Sequence, residues 1–209
     1  MSNVFYSDLY KVKCVSGFYT TLLVFWSLFQ ILNILTYNNF LSMLGALPAV
    51  VLTGIYLIVW VVMMFNGNKL GLGFAGYIGA MMVVAATIIT LTLQLIPMQD
   101  VMTGDINDWQ HTSIAVNLVS GISVLLNIVG IFLFLISARS SILLAVVTPV
   151  YFMLSFILNI LVSSFLGWLG ISFAAARSGC SILMLVFILI VLLPIFLLWR
   201  RGAVFAAER

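Results

Sequence analysis

Charge is what this sequence has least of. Only 6% of its 209 residues are Asp, Glu, Lys or Arg, while 65% are hydrophobic and the mean hydropathy is +1.31. A water-soluble domain carries about 25% charged and about 45–50% apolar residues. Eight basic and five acidic side chains cannot cover a soluble globule of this size, so lipid has to be part of the solvent. The basic residues are scattered rather than gathered into a run. That removes nucleic acid as a partner, despite a formal net charge of +3.

Other absences narrow the chemistry. Cys14 and Cys180 have neither zinc nor redox spacing and read as free thiols. The single histidine, His111, stands in a polar stretch beside Asp108 and Trp109, with too few companions for a metal site. No Ser, Cys or His has partners for nucleophilic chemistry. Asp and Glu are missing from the apolar segments, which argues against a membrane-depth proton relay or a voltage sensor. No catalytic residue, metal or cofactor is expected, and the chain does not read as an enzyme. Its start lacks both a basic n-region and a small-residue cleavage site, so a cleavable signal is not expected either.

What is present is a series of long apolar runs, such as Ser181–Trp199 (SILMLVFILIVLLPIFLLW). Barrel strands alternate over about ten residues. Runs of this length satisfy their backbone only as helices. The expected fold is therefore all-α: a polytopic membrane protein forming a single transmembrane domain. Its six spans fall at about 16–36, 41–65, 70–97, 113–137, 141–166 and 169–199. Odd–even alternation puts Lys11, Lys13, Lys69, Arg139, Arg200, Arg201 and Arg209 on one side and Arg177 on the other. The positive-inside rule then places both termini in the cytoplasm.

The last segment is too long for a simple rod, because Leu169 to Leu198 is about 45 Å of helix against a hydrocarbon core of about 30 Å. Either its early part lies along the outer interface, the preferred reading, or the helix breaks near Ser178–Gly179. Arg177 is accordingly either a rim residue, within reach of Asp100, Asp105 or Asp108, or a membrane-depth cation needing a partner, water or an anion.

The two halves of the chain share short words in the same order. Val15-Ser16-Gly17 returns as Val119-Ser120-Gly121. Ala49-Val50-Val51 with Thr53 returns as Ala145-Val146-Val147-Thr148, and Leu70-Gly71 with Phe74-Ala75 as Leu169-Gly170 with Phe173-Ala174. Ile96-Pro97 is echoed by Leu193-Pro194. Three spans per half would make this a 3+3 inverted repeat, a common transporter design; the bland alternative is that apolar helices share words by chance. Gly71-x-Gly73-x-x-Gly76 matches a dinucleotide fingerprint only formally, since no strand or βαβ unit accompanies it. Gly73, Gly76 and Gly79 read instead as a face for close helix packing, within the chain or by self-association. Pro149 is a candidate kink, with Thr148 and Ser155 placed to re-satisfy freed carbonyls.

Amides also occur inside the spans. Asn33, Asn127 and Asn159 lie deepest and are the candidate solute-facing groups, with Arg177 at the outer mouth; the bland reading is interhelical hydrogen bonding. The leading functional expectation is a transporter or channel for a small uncharged or anionic solute. The alternative is a non-catalytic membrane scaffold, assembly factor or accessory subunit of a larger membrane complex. The bilayer is the one partner the composition demands; other membrane subunits are an option.

Overall fold

The computed structural model describes residues 2–37, 47–103, 109–138, 141–164 and 173–207. Its elements are all helical: α1 (Ser2–Tyr37), α2 (Leu47–Phe65), a single turn α3 (Gly67–Leu70), α4 (Phe74–Thr103), α5 (Trp109–Ser137), α6 (Ile142–Ser164), α7 (Phe173–Phe187) and α8 (Leu193–Ala207). α7 and α8 are joined by a π-helical turn, Ile188–Leu192. Six helices are long and apolar enough to cross a membrane, with α7 and α8 acting as one.

Several boundaries differ from the sequence reading. The region 98–112, read as a polar loop, is mostly helical, since α4 runs to Thr103 and α5 begins at Trp109. A helix need not stop where the hydrocarbon does, because its own hydrogen bonds carry the backbone into the interface. His111 therefore lies in the first turn of α5. The last span does not break at Ser178–Gly179, since α7 runs from Phe173 through both residues without interruption, while residues 169–172, the start of the segment read as interfacial, lie outside the described residues. The span's irregularity sits lower, where Leu193 donates its backbone N–H to Ile188 five residues back. Pro194 follows directly. A proline crowds the carbonyl one turn before it and cannot donate to it, and a wider turn relieves that clash. The third span starts later than expected because Gly71 adopts φ +65°, which ends α3 and is strained for any other residue. Gly73 is thus not within α4 but caps it, its carbonyl accepting from Gly76 (2.9 Å) and Tyr77 (3.3 Å).

The spans form a ring. α1 packs on α2, α2 on α4, α4 on α5, α5 on α6, α6 on α7, and α7 with α8 closes back on α1. The α4–α5 seam is the most extensive. It is set by Gly79 and Gly130, where a Cβ on Gly79 would sit 2.5 Å from the Gly130 carbonyl oxygen and one on Gly130 would sit 2.7 Å from that of Gly79. At Gly76 a Cβ would strike the Ser137 side chain, and the Ser137 hydroxyl also accepts from the Gly73 N–H at 2.9 Å. This small-residue face is occupied by α5 of the same chain, so Gly76 and Gly79 are not presented to a second copy.

The outer surface is apolar, with Leu118, Ile122, Leu125, Val129 and Ile136 exposed along α5, and Leu143, Val146, Val150, Met153 and Ile157 along α6. That is the surface lipid requires. Toward one end the ring axis is filled by aromatic rings. Phe18, Trp60 and Phe134 form a triangle with centroids 5.0–5.2 Å apart, and Tyr19 stacks on Phe196 at 5.0 Å. The Tyr19 hydroxyl is hydrogen-bonded to Thr148 at 2.6 Å. Thr148 also donates to the Leu144 carbonyl, so it does not serve the Ala145 carbonyl, the usual acceptor that Pro149 cannot reach. α6 continues through Pro149 as one helix.

The glycine contacts give a direct test. Gly79→Ala and Gly130→Ala each force two backbones apart and should cost about 1–3 kcal/mol. Gly17→Ala, where nothing lies within 4 Å, should be neutral or gain up to about 1 kcal/mol. Thermal melts in one detergent check the ordering; equal effects at Gly17 and Gly79 would refute the close approach.

Candidate functional site

Beyond the aromatic layer the ring axis opens into a cavity of about 780 Å³. It extends toward the end at which α1, α4 and α6 finish and α7 begins. Every span contributes one inward stripe at helical spacing. α1 gives Trp26, Gln30 and Asn33; α4 gives Thr87, Thr90 and Gln94; α5 gives Ser120, Ser123 and Asn127. α2 supplies Thr53 and Tyr56, α6 supplies Tyr151 and Ser155, and α7 supplies Arg177 and Ser181. Two lobes share walls with the main cavity. One, of about 210 Å³, lies among α1, α6 and α7 beside Arg177, Asn33 and Cys180. The other, of about 150 Å³, reaches toward α2 and is walled by Phe25, Trp26, Phe29, Tyr56 and Phe152.

The candidate residues can now be placed. Asn127 lines the main cavity and the aromatic lobe, Asn33 lines the second lobe, and Arg177 borders both the main cavity and that second lobe. The side chain of Asn159 lies outside the described residues, as do those of Asp100, Asp105 and Asp108, the acids read as partners for Arg177. Arg177 is half-buried one turn into α7 and faces inward. From Arg177 to Arg200 is about 34 Å of helix, close to the hydrocarbon thickness of about 30 Å. With Arg200 at one interface, Arg177 stands at the level of the other, but inside the ring. Gly73, Gly76 and Gly79 lie away from the cavity at the α4–α5 seam, and Pro149 is buried in α6 beside Thr148.

Gln30 and Gln94 belong to the span amides expected to face other helices but not to the deepest three, Ser155 was read only as a partner for carbonyls freed by Pro149, and Tyr151, Ser123 and Ser181 were not read as site residues. Their signal was spacing: Ser120, Ser123 and Asn127 recur at three and four residues, as do Thr148, Tyr151 and Ser155. Some of these groups are satisfied within the protein. Gln30 donates from Nε2 to the Tyr151 hydroxyl at 2.9 Å. Ser123 donates to the Ala86 carbonyl at 2.8 Å and shares a 2.8 Å hydroxyl contact with Thr90. Others are not. The side-chain carbonyl oxygens of Asn127 and Gln94 are buried and accept no hydrogen bond among the described residues. The Trp26 indole N–H and the Tyr56 hydroxyl are likewise without a bond of normal geometry, although that hydroxyl lies beside the Trp26 and Trp60 indoles. Buried polar groups of this kind call for water or a ligand, and a wall this polar around a space this large accommodates either.

No protein-family model, curated protein or solved structure matches this chain.

The amides separate by experiment. Gln30→Met removes a made hydrogen bond and should cost about 0.6–1.7 kcal/mol, the range for such bonds in membranes. Asn127→Leu removes an acceptor with no protein partner and should leave the melting temperature unchanged or raise it. Equal losses in the two variants would show that Asn127 is structural glue.

Proposed function

We propose that this protein is a membrane carrier for a small organic solute, uncharged or anionic, and not a catalyst. The observation that carries the reading is the axial cavity: about 780 Å³, lined by hydroxyls, amides and Arg177, and stopped toward the other end by the Phe18–Trp60–Phe134 layer. Its size suits a drug-sized molecule, since such sites span about 300–1,000 Å³. A space lined this way and closed at one end is the shape of a binding chamber open to one side, which favours a carrier over a continuous channel. The scaffold alternative expects a dry, sealed bundle, and a cavity of this size and polarity is not what it calls for.

In this reading the termini are cytoplasmic, following the distribution of basic residues, so the cavity faces outward. The aromatic layer is the inner gate, and the Tyr19–Thr148 hydrogen bond between α1 and α6 is its latch. The faint 3+3 repeat agrees with such a design. Inversion would exchange the two halves, moving the closed layer to the other end of the axis.

Two measurements bear on this. In proteoliposomes, the purified protein should accelerate exchange of small polar organic solutes; folded protein that moves none of a broad panel would sink the carrier reading. In a Cys14→Ser background, Cys180 borders the cavity and should react with a membrane-impermeant methanethiosulfonate reagent added outside. Reaction only from the cytoplasmic side would reverse the orientation.

A further inference from the structure

The walls of the cavity differ along its length in a way that selects a solute class. At the α7 end stand Arg177, Gln30, Asn33 and Ser181, a cation among amides and a hydroxyl. Toward α2 the wall turns to rings: Phe25, Trp26, Phe29 and Phe152, with Trp26 meeting Phe152 edge-on at 5.2 Å and Tyr151 face-on at 5.6 Å. Between them lies Asn127 with its buried carbonyl oxygen. An aromatic wall alone would also suit an organic cation, which rings attract through their negative faces. Two features oppose that. Arg177 borders the same cavity and repels a cation, and among the described lining residues no carboxylate stands to balance one.

We propose that the cavity binds an acidic amphiphile: a small molecule with a carboxylate or similar anionic group at the Arg177 end and a planar apolar body in the aromatic lobe. A guanidinium binds a carboxylate through charge-assisted bonds, and these strengthen where water is scarce. The rings offer faces and edges to a flat apolar body. A free inorganic anion would leave the aromatic lobe unused, and an apolar molecule without a charge would make no use of the cationic end of the cavity. This inference rests on the axial cavity being the solute site of the carrier reading, but binding and transport are separable observations.

The test uses the full-length protein in phosphatidylcholine nanodiscs and three isosteric probes: 2-naphthoate, 2-naphthamide and 2-naphthylmethylammonium. Binding is read from quenching of tryptophan fluorescence. We expect 2-naphthoate to bind about ten- to a hundredfold more tightly than the amide, the usual worth of a hydrogen-bonded charge pair, and the ammonium to bind most weakly. Arg177→Gln should erase the preference for the acid while leaving affinity for the amide; Arg177→Lys should retain it, which guards against a folding artefact. Phe152→Leu should weaken acid and amide together. Equal binding of all three probes, preference for the cation, absence of binding to folded protein, or an acid preference that survives Arg177→Gln would each overturn the proposal. Acidic binding without flux would retire the carrier and leave this site standing; flux of a neutral solute without naphthoate binding would do the reverse. Replacing part of the phosphatidylcholine by phosphatidylglycerol identifies the source of the anion. Competition by the lipid would assign the Arg177 end to a headgroup and overturn the planar small-molecule proposal; unchanged affinity upholds a water-soluble acid.

Discussion

Six helices arranged in a ring enclose an axis that their own backbones cannot fill. In a soluble bundle the axis would be packed with leucine and the outside would be polar. Here lipid takes the apolar outside for itself, and hydrophobic burial no longer drives the spans together, because lipid tails are as apolar as leucine. Cohesion must come from close packing and from polar or aromatic contacts across the axis. The protein uses both. Gly79 and Gly130 bring α4 and α5 together backbone to backbone. Phe18 and Trp60 both reach Phe134 across the axis, and Tyr19 stacks on Phe196 of the adjoining last span. Edge-on and stacked pairs of this kind contribute about 0.5–1.5 kcal/mol each beyond their buried area.

Filling half of the axis with rings defines the other half. Once Phe18, Trp60 and Phe134 meet, the spans beyond them diverge around a space, and whatever lines that space must be tolerated by water or by a solute. That is why each of the six spans turns polar residues toward this space while the outward faces of α5 and α6 hold Leu, Ile, Val, Met and Phe; exposed threonines such as Thr21 and Thr92 donate back to their own helices. Asn127 and Gln94 keep buried carbonyl oxygens there with no protein donor. In a bundle held together by its amides, such oxygens would be paired, as Gln30 is with Tyr151. The contrast between these amides separates structural glue from groups held open for something else.

How much of this was legible beforehand depends on the length scale. The runs that became α2 and α6 could be read directly, because an apolar run of about twenty residues has one stable answer in a bilayer. Asn33, Asn127 and Arg177 were recognisable because a polar side chain in such a run is costly. The stripes were harder, since taken singly Ser120, Ser123 and Tyr151 are unremarkable, and only their three- and four-residue spacing marks one face. Helix ends were least legible. α4 and α5 run past the hydrocarbon into residues 98–112, and α7 passes through Ser178–Gly179, because a helix ends where its capping chemistry changes and not where hydropathy does. Gly130 was missed for a related reason: its importance comes from Gly79 on another helix, and no local pattern carries that pairing.

The same contacts sort the ring into stiff and yielding parts. α4 and α5 are interlocked by two glycines whose neighbours are backbone atoms, so any relative sliding meets an immediate steric wall. α6 and the last span are built differently. Pro149 removes one helical hydrogen bond from α6, and Pro194 with the Ile188–Leu192 π turn loosens the last span next to Phe196. Thr148 and Phe196 are the partners that α6 and α8 offer to Tyr19. The irregular turns thus lie beside the contacts that close the axis. On the carrier reading, opening the axis requires α1 to part from α6 and α8, and Phe18 to part from Trp60 and Phe134, while α4 and α5 stay together. Backbone defects placed beside Thr148 and Phe196 ease the movement of α6 and α8, whereas the same defects at the Gly79–Gly130 seam would have weakened the part that has to hold still.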